Sequence, residues 1–155
     1  MLKPLKPSRT SPQKKRRRAA AARMTDVDYQ RLAGFRFMLR QFLEFSALAA
    51  RARGLTPPQH QALLVIRALA VSGKATIADV AHWLMSRHHS TVELADRLSE
   101  LGLVRRRVDA ADRRRVTLVL TPKAARILDR LSATHLEELR RVGDALQGML
   151  KMLRK

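Results

Sequence analysis

The sequence contains no cysteine and no asparagine. Without thiols there is no disulfide framework, Cys-based zinc finger, iron–sulfur cluster or thiol redox sensor. Without Asn there is no N-glycosylation acceptor and no Asn–adenine contact. Acids are scarce, with 13 Asp and Glu against 32 Lys and Arg, for a formal net charge of +19. Aromatics are few: four Phe, one Tyr and one Trp. No run approaches ~18 consecutive apolar residues, so no membrane-spanning helix is expected. The basic N-terminus is followed by no apolar segment of a secretory signal. The expectation is a soluble, cytoplasmic protein.

What is present suits a single domain: 155 residues, 46% of them apolar, enough to bury a core. The basic excess points to nucleic acid or another anionic surface, and it is unevenly placed. Residues 1–23 hold nine Lys and Arg, including Lys14–Arg18, and no acid. Residues 24–155 keep 23 basic against 13 acidic residues, or +10. Residues 1–23 carry three Pro and no buried-face periodicity, so they read as a disordered basic tail. Met24 offers an alternative start, in which case the tail is not translated. If present, it adds sequence-independent attraction to phosphate.

The remainder is patterned. Over residues 26–53, Leu32, Phe35, Leu39, Phe42, Leu43 and Phe45 recur at helical spacing between Arg31, Arg36, Arg40 and Glu44. Tyr29, Phe35, Phe37, Phe42 and Phe45 spread around much of this helix. One face should therefore pack on its own domain and another on a second subunit. Gly54 ends the helix. Thr56-Pro57-Pro58-Gln59 forms a capping box with Pro at the first helical position, opening a helix to about Ala70. Thr76 caps a short helix with Ile77, Val80, Ala81 and Leu84 inward, and the adjacent Trp83 reads as core. Ser86 is the expected cap of the next helix, with Leu94, Leu98 and Leu101 inward and Gly102 at its end.

Beyond Gly102 the period changes to two. Leu103–Val108 and Val116–Thr121 read as strands joined by a polar turn at Asp109–Asp112. Residues 122–155 return to helix with an apolar stripe from Ile127 to Leu153, and Gly143-Asp144 suggests a division into two helices. The expected fold class is mainly α with a small β-hairpin wing. Short helix, turn, helix and basic hairpin make a winged helix-turn-helix, flanked by N- and C-terminal dimerisation helices.

In that arrangement the second helix enters the major groove of duplex DNA. Its first turn presents Arg87, His88, His89, Ser90 and Thr91, all hydrogen-bond donors, while Arg97 lies two turns on, towards the backbone. The hairpin carries Arg105, Arg106, Arg107, Arg113, Arg114 and Arg115 against Asp109 and Asp112, or +4 in eleven residues. Such a run is ordinarily a solvated face. Directly after a candidate recognition helix it points to phosphate or minor-groove contact.

Leu98-Ser99-Glu100-Leu101-Gly102-Leu103-Val104, then Asp112-Arg113-Arg114-Arg115 and Leu120-Thr121-Pro122-Lys123-Ala124, resemble the MarR (multiple antibiotic resistance regulator) family. The resemblance covers about residues 26–155, including Leu55–Gln59. It implies a DNA-binding lobe over about residues 56–121 and an obligate homodimer held by helices over about 26–53 and 122–155. It further implies a pseudo-palindromic operator, repression of the protein's own or neighbouring genes, and a wing in which Asp112 braces Arg114. The family's effectors are often small aromatic or phenolic anions bound between the two layers. Here that region involves Phe35, Met38, Phe42, His60 and Leu64, which read alternatively as plain core. Two departures stand out: Ala124 replaces a usual Gly, and His60 occupies a position that is often aromatic or aliphatic.

Other chemistries find no support. Ser72–Thr76 lacks the upstream Gly of a phosphate loop, since position 68 is Ala68. His88 and His89 point about 100° apart on a helix, and His60, His82 and His135 are isolated in sequence, so no metal or cofactor is expected. No nucleophile elbow or paired carboxylates suggest an enzyme. RNA is disfavoured because no aromatics interleave with the basic hairpin. The alternatives left open are an architectural, largely non-specific DNA binder and a winged helix used for protein contact.

Overall fold

The computed structural model describes residues 24–73, 75–108 and 116–153. The first helix, α1 (Asp26–Arg51), opens with a capping box between Thr25 and Asp28. After it, Gly54 adopts φ +73°, a left-handed turn that reverses the chain. Helix α2 (Pro57–Ala70) starts as its sequence dictates: the Thr56 hydroxyl accepts from the Gln59 amide, and the Gln59 side chain accepts from the Thr56 amide. Its inner face supplies Ala62, Leu63, Val65 and Ile66 to the core.

Helix α3 (Ile77–Trp83) and helix α4 (His88–Glu100) follow, and then strands β1 (Val104–Val108) and β2 (Val116–Leu120). The strands pair antiparallel with Val104 opposite Leu120 and Arg106 opposite Leu118. The hairpin is pinned to the lobe where the Leu118 amide donates to the Ala75 carbonyl at 2.7 Å. Val80, Ala95, Leu98, Leu103, Val104 and Leu118 join the α2 residues in one apolar cluster. Thr121 joins the wing to the last helix: its hydroxyl donates to the Gly102 carbonyl at 2.8 Å and accepts from the Ala124 amide. Ala124 is fully buried there, so its methyl group is accommodated in the core.

Four sequence expectations need correction. The last helix, α5 (Pro122–Leu153), runs unbroken through Gly143 and Asp144. One interior Gly costs about 1 kcal/mol relative to Ala, and an apolar stripe that continues on both sides offsets it. Trp83 is 58% exposed rather than core, because it lies off the Val80–Leu84 face of a helix only seven residues long. Leu101 is exposed as well, standing as the C-cap of α4 rather than on its inner face. Finally, α4 is capped by Arg87 without a side-chain hydrogen bond, and the Ser86 hydroxyl turns to Thr91 instead.

Helix α5 packs along α1, forming a helical layer against the winged lobe. Its far side is not covered. Tyr29, Leu32, Phe37, Leu39, Leu43 and Leu48 of α1, and Leu136 and Leu139 of α5, are exposed. Among the described residues no helix is long and apolar enough to cross a membrane.

Candidate nucleic-acid interface

The residues of α4 divide by the 100° turn per residue of a helix. Thr91, Ala95 and Leu98 face inward and are buried. Arg87, His88, His89 and Ser90 lie exposed around the start of the helix, with Arg97 exposed two turns on. Thr91 is the exception among the residues expected to face DNA. It is only 2% exposed, and its hydroxyl donates to the Arg87 carbonyl at 3.2 Å and accepts from Ser86 at 2.7 Å. It fixes the turn into α4 and has no path to a base edge.

That turn is strained. Met85 holds φ +50°, a left-handed conformation that costs an L-residue about 1–2 kcal/mol, and its side chain is almost wholly exposed. Beside it a groove of about 550 Å³ runs along one flank of α4, lined by Pro57, Leu84, Met85, Ser90, Leu94 and Arg97.

The other flank of α4 faces the wing. Alternation along β1 puts Arg106 on one face and Arg105 and Arg107 on the other. Arg106 reaches back to α4 and donates to the Asp96 carboxylate at 2.6 Å. Arg105 and Arg107 are exposed on the opposite face. The structure therefore separates what the sequence presents as one run: Arg106 braces the wing against the helix, leaving Arg105 and Arg107 to the solvent side. Asp112, Arg113 and Arg114 lie outside the described residues.

Between the helical layer and the lobe, the structure gathers histidines that are far apart in sequence. The His60 and His135 rings lie 4.8 Å apart, and Phe42 and Phe45 meet His135 edge-on at 6.0 and 5.7 Å. His135 Nδ1 is 2.6 Å from the Leu131 carbonyl, which only accepts, so Nδ1 donates there, and Nε2 is hydrogen-bonded with the Ser46 hydroxyl at 2.8 Å. Of the five residues expected near an effector, Phe42 and His60 join this cluster. Phe35 and Met38 are half-buried on α1, and Leu64 is exposed. Sequence reasoning missed His135, Phe45 and Ser46 as partners. A sign was present, since His135 falls on the Leu128–Leu131 stripe four residues after Leu131.

Burial, and secondarily the neighbouring His135, hold the His60 imidazole below the usual histidine range. The folded protein therefore resists protonation that the unfolded chain accepts. The stabilisation is complete above the ordinary value of about 6.5 and is lost as pH falls through the depressed folded value. Thermal midpoints followed by circular dichroism should fall as pH drops below about 6.5, and His60→Phe should reduce that fall. An identical pH profile in the variant would contradict this.

Residues 53–115 match the family model described as MarR family. No curated protein sequence matches the chain significantly. Among solved structures, a MarR family protein from Bacillus stearothermophilus superimposes with TM-score 0.66 at 20% identity, covering 86% of this chain and 100% of that one. MepR, a transcription regulator of the Staphylococcus aureus multidrug efflux pump MepA, gives TM-score 0.64 at 21% identity over 77% of this chain and 95% of its own. S. aureus MepR in complex with DNA gives TM-score 0.61 at 21% identity, over 84% and 95%. At such identities the structural likeness concerns the fold, a helical layer carrying a winged lobe. Over residues 53–115 the chain is thus similar to the MarR family, and around that winged module it shares the fold of solved MarR family structures.

Proposed function

We propose that the protein is a cytoplasmic, homodimeric, sequence-specific DNA-binding regulator that represses its own or neighbouring genes. The observation that carries this reading is the Arg106–Asp96 brace, which fixes a wing bearing exposed Arg105 and Arg107 beside the exposed start of α4. The lobe over residues 56–121 then reads duplex DNA. Arg87, His88, His89 and Ser90 lie at base edges, and Arg97, Arg107, Arg113 and Arg114 contact the backbone or minor groove, Arg114 being braced by Asp112. The exposed apolar side chains of α1 and α5 support the dimer, because a second copy would remove these large apolar groups of two neighbouring helices from water. Two-fold symmetry sets the recognition helices roughly 34 Å apart on a pseudo-palindromic operator. S. aureus MepR, whose fold this chain shares, has been solved in complex with DNA, which supports DNA as the partner. The cluster of Phe42, His60 and His135, flanked by Phe35 and Met38, is where a small aromatic anion would act as effector.

A salt titration against a selected operator and random duplex tests the reading. The operator should be bound on the order of 10³-fold more tightly, or better, at physiological salt. A ratio near one would favour the architectural alternative driven by the basic tail and wing.

A further inference from the structure

The outermost line of α4 is not basic. Its groove-side flank is Ser90, Leu94 and Arg97, and its wing-side flank is Asp96 and Ser99, beside Arg105 and Arg106. Between these flanks, opposite the buried Thr91–Ala95–Leu98 line, stand His89, Glu93 and Glu100. Glu100 is the last residue of the helix, about 10 Å beyond Glu93 at 1.5 Å per residue. Glu93 is thus the carboxylate one turn behind His89, on the part of the crest that goes deepest if the helix enters a groove by its start.

No cation among the described residues pairs with this carboxylate. Among the described residues, Asp96 is held by Arg106, Asp79 by Thr76 and Asp28 by Thr25. Glu93 has no ion pair there, not even with Arg97 one turn on, where an i,i+4 pair is geometrically available. A bare carboxylate on a DNA-facing crest is repelled by phosphate, and it is costly to desolvate unless a donor meets it. That cost makes it discriminating.

On this basis, and resting on the DNA-binding reading above, we infer that Glu93 is a specificity-determining residue whose carboxylate accepts a hydrogen bond from the N4 amino group of a cytosine in the major groove. Cytosine offers a donor on that edge with no acceptor of its own beside it. Adenine sets N7 next to its amino group, whereas guanine and thymine offer acceptor oxygens. His89, one turn earlier, would read the neighbouring step, and the brace through Asp96 leaves Glu93, not Asp96, as the acid that meets a base.

Selection from randomised duplexes, run with the wild type and with Glu93→Gln, tests this. The wild type should fix a cytosine at one position of each half-site. Glu93→Gln should exchange that preference for adenine, which a glutamine meets at N6 and N7, and leave the other positions unchanged. In direct titrations, changing that cytosine to thymine should weaken wild-type binding roughly 5- to 150-fold and leave Glu93→Ala nearly indifferent. Identical base preferences in wild type and Glu93→Gln would overturn the assignment while leaving the regulator reading intact. So would a Glu93→Ala variant that binds every duplex more tightly by the same factor. A wild type that selects no sequence at all would overturn both.

Discussion

Leu43→Glu should turn the protein into a monomer and weaken binding to its selected duplex by about 100-fold or more, the scale on which a linked second site contributes avidity. Leu43 is 61% exposed on the outer side of α1, one turn from the exposed Leu39. Glu is nearly as good a helix former as Leu, and an exposed substitution ordinarily changes folding stability by less than about 0.5 kcal/mol. The monomer's own core is therefore untouched. In the proposed dimer the same carboxylate is buried in an apolar interface without a partner, which costs several kcal/mol. Sedimentation or light scattering reads the oligomeric state, and circular dichroism reads retained helix. A stable dimer carrying this substitution would remove α1 from the proposed interface.

The second large effect concerns the core beneath α4. Leu98→Ala should lower stability by about 3–5 kcal/mol, as is usual when a fully buried Leu is truncated and its cavity cannot collapse. Leu98 is wholly buried on the inner face of α4, in one cluster with Ala95, Leu103 and Val104. It is therefore the residue through which α4 and the root of the wing share a core. Domains of this size carry only about 5–15 kcal/mol in total, so DNA binding at elevated temperature should fail with folding. Urea midpoints supply the measurement, and a loss below about 1 kcal/mol would show that this core is able to repack.

These two residues illustrate what was legible in advance. The Leu94–Leu98 spacing marks an inner face in the sequence, and the alternation over Val116–Leu120 marks a strand, because both periods are local properties of the backbone. Capping follows the same rule, and Thr56 and Gln59 do what their spacing of three implies. Where local rules misled, a neighbouring element had the deciding vote. Ser86 has the right chemistry for a cap, but Thr91 competes for its hydroxyl. Thr91 sits in the first turn of α4 as expected, yet the helix rotates it inward against the turn. Gly143 looks like a break, yet α5 runs on through it.

The sequence by itself determined the order of elements as far as the last helix, the basic wing and the apolar stripes of α1 and α5, since each depends on residues within a turn or two of one another. Only the tertiary structure decided which charges are spent inside the protein and which are left for a partner. Arg106 and Asp96 are ten residues apart, and Ser46 and His135 are 89 apart. Their pairing depends on how helices and hairpin pack, which no local period encodes. The same packing places Glu93 between two flanks with no ion-pair partner among the described residues, and so turns a minor acidic residue of a basic chain into a candidate reader of sequence.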